Sequence, residues 1–180
     1  FVTSLFEDSH GYIWVGTYNN GLNIYDKRYQ SFYKFRHDST DDTSISTNRI
    51  PRSNRIIVED NEGFIWLNTQ NGLNKIDPDT KKVERHPGDM FGQTIFDKER
   101  NVLWIGSQGL KRYEPFKREI KSFGHGVSIS AIVAGSSDFI WVGTNDGILL
   151  FKISENKFYH LEDLFDLSSS PGPGWSDEPV

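Results

Sequence analysis

Residues 6–17 read Phe-Glu-Asp-Ser-His-Gly-Tyr-Ile-Trp-Val-Gly-Thr, and the same formula returns three more times along the chain. The later copies begin at Val58, Phe96 and Val133. Each copy has one tryptophan between two aliphatic residues, followed within a few positions by Gly-Leu or Gly-Ile. Repetition of one short formula at spacings of 52, 38 and 37 residues indicates a repeat architecture. The four tryptophans are Trp14, Trp66, Trp104 and Trp141.

The residues around each tryptophan favour short strands joined by tight turns. Asn20-Gly21 and Asn71-Gly72 are strong hairpin signals. Three residues before each tryptophan stands a residue type that adopts a left-handed backbone at low cost; these residues are Gly11, Gly63, Asn101 and Asp138. We therefore predict four strands per repeat, which in the first repeat are Val2–Glu7, Ile13–Thr17, Leu22–Tyr25 and Ser31–Arg36.

A four-stranded unit of about 40 residues, repeated, is typical of a β-propeller. Strands such as Ile13–Val15 are apolar on both faces, which indicates sheets stacked face to face. The predicted fold is all-β, with four propeller blades of four antiparallel strands each. The predicted blades cover about residues 1–36, 55–86, 92–123 and 127–160, and residues 161–180 form an acidic, Pro/Gly/Ser-rich tail or linker.

Four blades are the lower limit for a closed propeller. We therefore expect an open arc whose end blades expose apolar faces. Exposed faces of that size drive association, so we also expect a homo-oligomer. Because the chain starts at Phe1 in the middle of the pattern, we expect it to be a fragment.

The composition excludes several classes of protein. The 180 residues include 13 Phe, 7 Tyr and 5 Trp, which argues against disorder over most of the chain. A net charge of −5 argues against general nucleic-acid binding. The absence of cysteine removes disulfides, zinc–thiolate sites and a cysteine nucleophile. No apolar run is long enough to span a membrane, and we expect no membrane contact, cofactor or metal.

The formula Glu-Asp-x-x-Gly-x-Ile-Trp-Val-Gly-Thr, followed by Gly-Leu-Asn-x-Tyr-Asp, resembles the two-component regulator propeller repeat. Ser44-Ile45-Ser46 and Asn48 resemble the Ser-Leu-Ser-x-Asn segment that leads into the next blade in that family. The resemblance implies the extracellular or periplasmic sensor region of a bacterial hybrid two-component system. Such systems in gut Bacteroidetes sense polysaccharide fragments, so the resemblance also implies an oligosaccharide ligand.

The same resemblance implies a propeller of about seven blades, with the remaining blades and downstream signalling domains as partners. The chain departs from the family pattern in three places. Asn68 replaces the usual glycine, the third repeat lacks Glu-Asp at the usual spacing, and the fourth repeat loses it. We expect these departures to weaken individual turns and to leave the fold intact.

Signals of catalysis are weak, and we expect the chain not to be an enzyme. Its five histidines lie at unrelated positions, with no metal-ligand spacing. The Glu7-Asp8 pair recurs as Glu59-Asp60, so turn closure explains it better than acid–base chemistry does. Two alternatives remain open. One is a streptogramin-lyase-like propeller that uses His86 or His125, and the other is a protein-binding scaffold.

Candidate ligand-binding residues come from loops, because rigid strands position variable loops. The tryptophans could stack on sugars, but their place between aliphatic residues favours burial between blades. Blade-to-blade connections share one propeller face with the turns between second and third strands. Amide and aromatic side chains there suit hydroxyl-rich ligands. The alternative is that they are solvent-exposed turn residues with no binding role. The candidates are Tyr18, Asn19, Asn20, Arg49, Arg52, Gln70, Asn71, Gln108, Asn145 and Asp146.

Overall fold

The computed structural model describes residues 1–53, 55–135 and 138–164. The first blade contains β1 (Val2–Glu7), β2 (Ile13–Thr17), β3 (Leu22–Asp26) and β4 (Ser31–Phe35). The second contains β5 (Ile57–Glu59), β6 (Ile65–Thr69), β7 (Gly72–Ile76) and β8 (Val83–His86). The rest of the chain forms β9 (Gln93–Asp97), β10 (Val102–Glu114), β11 (Glu119–Ala134), β12 (Phe139–Thr144), β13 (Gly147–Lys152), β14 (Lys157–His160) and a short helix, α1 (Leu161–Leu164).

All strand pairs are antiparallel and follow the order of the sequence. Two sheets have four strands each, in the orders β1-β2-β3-β4 and β5-β6-β7-β8. In the first repeat, β1 and β2 have the predicted bounds, while β3 extends to Asp26 and β4 ends at Phe35. The predicted fold class, an open all-β arrangement of propeller blades, is confirmed.

The third and fourth repeats share one six-stranded sheet, where sequence reasoning expected two separate sheets. The cause is that β10 and β11 are long and change partners at glycines. Strand β9 pairs with Val102–Gly106, and the remainder of β10 pairs with the start of β11, with an irregular register at Gly109. The end of β11 then pairs with β12. Gly109, Gly124 and Gly126 have φ angles of 112°, 60° and 89°, which favour glycine.

We call β9, β10 and Glu119–Phe123 the third blade, and the end of β11 with β12, β13 and β14 the fourth blade. Helix α1 follows β14 directly. Within the predicted tail at 161–180, residues 165–180 lie outside the described residues.

Each interior tryptophan is covered by the two aliphatic residues that flank the tryptophan of the following blade. Each tryptophan lies in the same hydrophobic cluster as its two covering residues: Trp14 with Ile65 and Leu67, Trp66 with Leu103 and Ile105, and Trp104 with Ile140 and Val142. These three tryptophans are fully buried, which confirms the expected burial between blades. Trp141 is 38% exposed, since no blade follows the fourth within the described residues.

An aspartate accepts a hydrogen bond from the indole N–H of each interior tryptophan. The Trp14 Nε1–H donates to Asp8 Oδ2 at 2.7 Å, and the other oxygen of Asp8 accepts the backbone N–H groups of His10 and Tyr12. Asp60 binds Trp66 in the same way, also at 2.7 Å. One carboxylate therefore closes the turn and satisfies the buried indole.

At two of the three departures from the family pattern, the structure shows hydrogen bonds that sequence reasoning missed. In the third repeat Asp97, one residue further from the tryptophan, accepts the Trp104 Nε1–H at 3.2 Å and restores the contact. Asn68 is fully buried, and its amide donates to Met90 O and Thr94 Oγ1, both at 2.7 Å. It therefore ties the second blade to the third, although its buried Oδ1 has no hydrogen-bond partner.

Replacing Asp8 with alanine should lower the free energy of unfolding by about 2–3 kcal/mol, because the buried Trp14 N–H loses its charged acceptor. Urea unfolding measures the loss. Glu7→Ala is the matched control, since the neighbouring Glu7 makes only an exposed ion pair with Lys27, worth about 0–1 kcal/mol. Equal losses in the two variants would contradict the assigned role of Asp8.

Candidate ligand-binding face

The turns between the second and third strands of each blade lie against the connections between blades. Gly21 N donates to Asn48 O at 2.8 Å, and Asn71 Nδ2 donates to Ser46 O at 3.0 Å. In the third blade, Gln108 lies opposite Ser128 of β11. We call this side of the sheets the loop face; it consists of residues 18–20, 46–53, 70–71, 107–108, 126–128 and 145–146.

A threonine at the end of the second strand fixes three of these turns. The Thr17 hydroxyl donates to Gly21 O at 2.8 Å and accepts the Asn20 N–H at 3.0 Å. The same pair of contacts recurs for Thr69 with Gly72 and Asn71, and for Thr144 with Gly147 and Asp146. The turn backbones are therefore held, and their side chains project from a rigid base.

Tyr18 and Arg49 come into direct contact on the loop face. The Arg49 Nη2–H donates to the Tyr18 hydroxyl at 2.9 Å, and the guanidinium carbon lies 4.9 Å from the centre of the same ring. The Phe1 ring stacks on Tyr18 with centroids 5.2 Å apart and is 86% exposed. This patch presents aromatic faces and a cation side by side, a combination that can bind both a sugar ring and an anionic group.

Gln108 lines a cavity of about 410 Å³ together with residues that sequence reasoning missed. Those residues come from the connection before β9 and from β10 and β11, which meet only in the folded sheet. The Lys111 ammonium lies 2.9 Å from Asp89 Oδ2 at this cavity. The missed polar residues are Asp89, Ser107, Lys111 and Ser122, and the lining also includes His125, which sequence reasoning considered only for the lyase-like alternative.

Asn145 and Asp146 line a separate cavity of about 340 Å³, with Ser128, Thr144 and His160. The other predicted residues, Asn19, Asn20, Arg52, Gln70 and Asn71, are exposed on the loop face. The ten candidates therefore share one face but do not share one pocket.

Arg55 does not belong to the loop face that contains Arg49 and Arg52. Its Nη1–H donates to Ile132 O of the fourth blade at 3.2 Å, and its own carbonyl accepts the Thr94 N–H at 2.7 Å. Arg55 therefore links three blades near their innermost strands.

The long connection from His37 to Ser53 is held by Arg85 of β8, a residue that sequence reasoning missed. Arg85 Nε donates to Ser44 O at 2.7 Å, and Nη2 donates to Ser44 Oγ at 2.6 Å and to Asp41 O at 2.9 Å. Hydrogen bonds from Thr43 lower the pKa of Asp41, which keeps this carboxylate charged beside the guanidinium.

His86 is 4% exposed, and its Nδ1 is hydrogen-bonded to the Tyr113 hydroxyl at the interface of the second and third blades. Burial lowers the pKa of His86, and the charges of Arg118 and Lys75 act in the same direction against the nearby Glu84. Burial also raises the pKa of Tyr113. A neutral, enclosed imidazole with one nitrogen already bonded does not fit the catalytic role considered for His86.

Another cavity, of about 510 Å³, lies off the loop face on the second blade, lined by Phe64, Lys75, Asp77 and Glu84 among others. Within residues 1–53, 55–135 and 138–164, no group of three or more His, Asp or Glu side chains is arranged to hold a metal ion. No helix in the described part of the chain has the length and apolar character needed to cross a membrane.

A family model described as two component regulator propeller matches residues 1–19. These residues therefore match the two-component regulator propeller repeat. The structure is similar to the extracellular domain described as that of the hybrid two component system BT3049 of B. thetaiotaomicron. The two share 25% identity and a TM-score of 0.72, over 88% of this chain and 23% of that one.

The extracellular domain described for the hybrid two component system BT4673 of the same organism is also similar. It shares 23% identity and a TM-score of 0.67, over 89% of this chain and 23% of that one. The chain thus spans about a quarter of the length of these structures. The RRP9 WD40 repeats match with 12% identity and a TM-score of 0.67, over 88% of this chain and 50% of that one, a likeness of fold alone. No curated protein matches the chain.

Replacing Arg85 with alanine should free the long connection, because three carbonyl or hydroxyl acceptors lose their donor. We expect amide hydrogen exchange within residues 38–46 to become about tenfold faster or more, which corresponds to one lost contact of about 1.4 kcal/mol. Arg28→Ala is the control, because Arg28 is an exposed arginine of the first blade that does not contact the connection. Unchanged exchange in the Arg85 variant would contradict the clamp.

His86 should make the stability of the protein fall in mild acid. Its pKa is lowered in the fold and is about 6.5 in the unfolded chain, so below pH 6.5 the unfolded state binds more protons. The free energy of unfolding should then fall by up to about 1.4 kcal/mol per pH unit until the lowered pKa is passed.

Urea unfolding at pH 7.5, 6.5 and 5.5 measures this slope. The variant His86→Gln should show a flatter dependence, whereas His125→Gln, which changes an exposed histidine, should keep the slope of the natural chain. A slope that is the same in all three proteins would show that His86 is not its source.

Proposed function

We propose that this chain is a non-enzymatic ligand-binding segment of a bacterial two-component sensor and that it works outside the cytoplasm. Its likeness to extracellular domains of hybrid two component systems supports the sensor role and the location. Downstream signalling domains and further blades of a longer sensor would then be its partners. Binding would act by shifting the relation between this segment and those partners.

The ligand we propose is an oligosaccharide or polysaccharide fragment bound at the loop face. The observation that carries this proposal is the contact of Tyr18 with Arg49, beside the exposed ring of Phe1. Aromatic faces stack on the apolar side of sugar rings, and a guanidinium donates paired hydrogen bonds to carboxylate or sulfate groups. The patch therefore favours an acidic glycan over a neutral one.

The lyase-like alternative now depends on His125, because His86 is enclosed. His125 lines the same cavity as Asp89, but that carboxylate is paired with the Lys111 ammonium. A lyase assay with a His125→Ala control addresses this alternative. Turnover by the natural chain that the variant lacks would overturn the non-enzymatic proposal.

Replacing Arg49 with glutamine should weaken binding of an acidic oligosaccharide about tenfold or more, because a charge-assisted hydrogen bond contributes roughly 1.5–3 kcal/mol. Calorimetric titration with a panel of uronic-acid, sulfated and neutral oligosaccharides measures the change. Tyr18→Ala should weaken binding of the same ligand through loss of the ring.

The matched control is Arg28→Gln. Arg28 makes an equivalent pair with Tyr12, with a hydrogen bond of 2.7 Å and 5.2 Å to the ring centre, but follows β3 at the opposite end of the sheet. Its replacement should leave affinity unchanged. Equal losses for Arg28 and Arg49, or no binding of any glycan in the panel, would count against the proposed site.

A further inference from the structure

Consecutive blades form a recess beside the loop face, and two strand positions of the following blade line it. Asn74 in the second blade and Lys111 in the third each stand two residues after the glycine of the turn between the second and third strands. Asn74 lies opposite Arg85 in its ladder, and Lys111 lies opposite Ser122. Asn74 and Arg85 are therefore the structural equivalents of Lys111 and Ser122.

In the recess between the first and second blades, the chain's own long connection occupies this place. The Ser46 N–H donates to Asn74 Oδ1 at 2.7 Å, and Asn74 Nδ2 donates to the Ser46 hydroxyl at 3.0 Å. Arg85 Nε donates to Ser44 O at 2.7 Å. The two strand positions therefore hold a polar segment in the first recess through hydrogen bonds.

Between the second and third blades, the same place is the cavity of about 410 Å³ at Gln108. The connection here covers only residues 87–92, whereas residues 36–56 connect the first two blades. Asp89 of this connection lines the cavity, and β10 and β11 supply the other lining residues. All of these residues belong to consecutive described blades, so the cavity is not a face left for an additional blade to cover.

The lining of this cavity combines donors and acceptors, and its Lys–Asp pair carries no net charge. The Lys111 ammonium donates to the carbonyl and to Oδ2 of Asp89, the latter at 2.9 Å. An ammonium has three donors and a carboxylate accepts from several directions, so both groups keep capacity for a ligand. Gln108 and Ser122 add an amide and a hydroxyl. Ile120, which is 41% exposed, adds an apolar contact.

The recess between the third and fourth blades has a different chemistry. Leu149 lies opposite His160 there, in the positions that Lys111 and Ser122 have in the third blade. Both residues line the cavity of about 340 Å³. Because the side chain of Leu149 has no hydrogen-bonding group, this recess lacks the ammonium–carboxylate pair of the second interface.

We propose that the cavity between the second and third blades is a separate binding site on the loop face for one neutral sugar ring. Its volume lies within the range typical of small-molecule sites, about 300–1,000 Å³. The hydroxyl groups of the ring exchange hydrogen bonds with Lys111, Asp89 and Gln108. Its C–H face lies against Ile120. This inference rests on the proposed glycan ligand, and it adds a site for a neutral ring to the site for an acidic group at Arg49.

Calorimetric titration of the purified chain with neutral trisaccharides of glucose, galactose, mannose and xylose tests the site. We expect at least one of them to bind. Ser122→Phe should weaken that binding about tenfold or more, because the phenylalanine ring would occupy the cavity. Gln108→Ala should weaken it about two- to tenfold, which corresponds to one lost hydrogen bond. Amide chemical-shift changes on titration should concentrate at residues 107–111 and 120–125.

Ser31→Phe is the matched control. Ser31 is also an exposed serine of an outer strand, β4, but it lies opposite Asp26, at the end of the sheet away from the loop face. Its replacement should leave affinity unchanged, and circular dichroism verifies that each variant is folded. Unchanged affinity in both the Ser122 and Gln108 variants would overturn the site, as would equal losses in Ser31→Phe and Ser122→Phe.

An oligosaccharide that contains uronic acid, titrated in parallel, separates this inference from the proposed function. If it binds and no neutral trisaccharide does, the cavity site is wrong and the acidic-glycan proposal stands. If neither kind of glycan binds, both proposals are wrong. Neutral binding that the Ser122 variant loses and the Ser31 variant keeps supports the cavity site, whatever the acidic ligand does.

Discussion

The packing of one indole between two aliphatic side chains of the next blade is the contact on which the rest of this structure depends. It occurs at three successive interfaces and places Trp14, Trp66 and Trp104 at zero exposure. An indole buried in this way would leave its N–H without an acceptor. The aspartate of the preceding turn supplies that acceptor, so the turn, the strand and the interface form one unit.

The loop face follows from this arrangement. Because the strands alternate in direction, every turn after a second strand emerges on the same side as the connection to the next blade. Threonine hydroxyls hold three of these turns through hydrogen bonds. Arg85 of β8 donates hydrogen bonds to the longest connection. A rigid base with varied side chains at its edge is a common solution for binding proteins. The contact between Tyr18 and Arg49 gives that edge its most distinctive chemistry.

Hydrogen bonds from polar residues also join neighbouring blades. Asn68 donates its buried amide to the connection before β9, and Arg55 reaches the fourth blade from the second. His86 and Tyr113 share a hydrogen bond among apolar neighbours in the interface that buries Trp66. These contacts give the interfaces a dependence on hydrogen bonding, and at His86 on pH, that an entirely apolar interface lacks.

The all-β fold, the repeat and the bounds of β1 and β2 could be predicted from the sequence, because strand period and turn chemistry are local properties. It also indicated that recurrent aspartates close turns. The hydrogen bond between Asp97 and Trp104 could not be predicted from the sequence. Asp97 lies one residue further from its tryptophan than Asp8 and Asp60 do, and whether its carboxylate reaches the indole depends on the shape of the turn. Sequence reasoning placed the ten candidate residues on one face but could not group them.

Which of those residues meet depends on the folded arrangement of the blades. The contact of Tyr18 with Arg49 joins residues 31 positions apart, and the cavity at Gln108 collects side chains from a connection and two long strands. Trp141 is exposed because no blade follows it within the described residues, although its local sequence matches that of three buried tryptophans. Local sequence specifies what a strand offers to a neighbour, but burial depends on whether the arrangement of blades provides that neighbour.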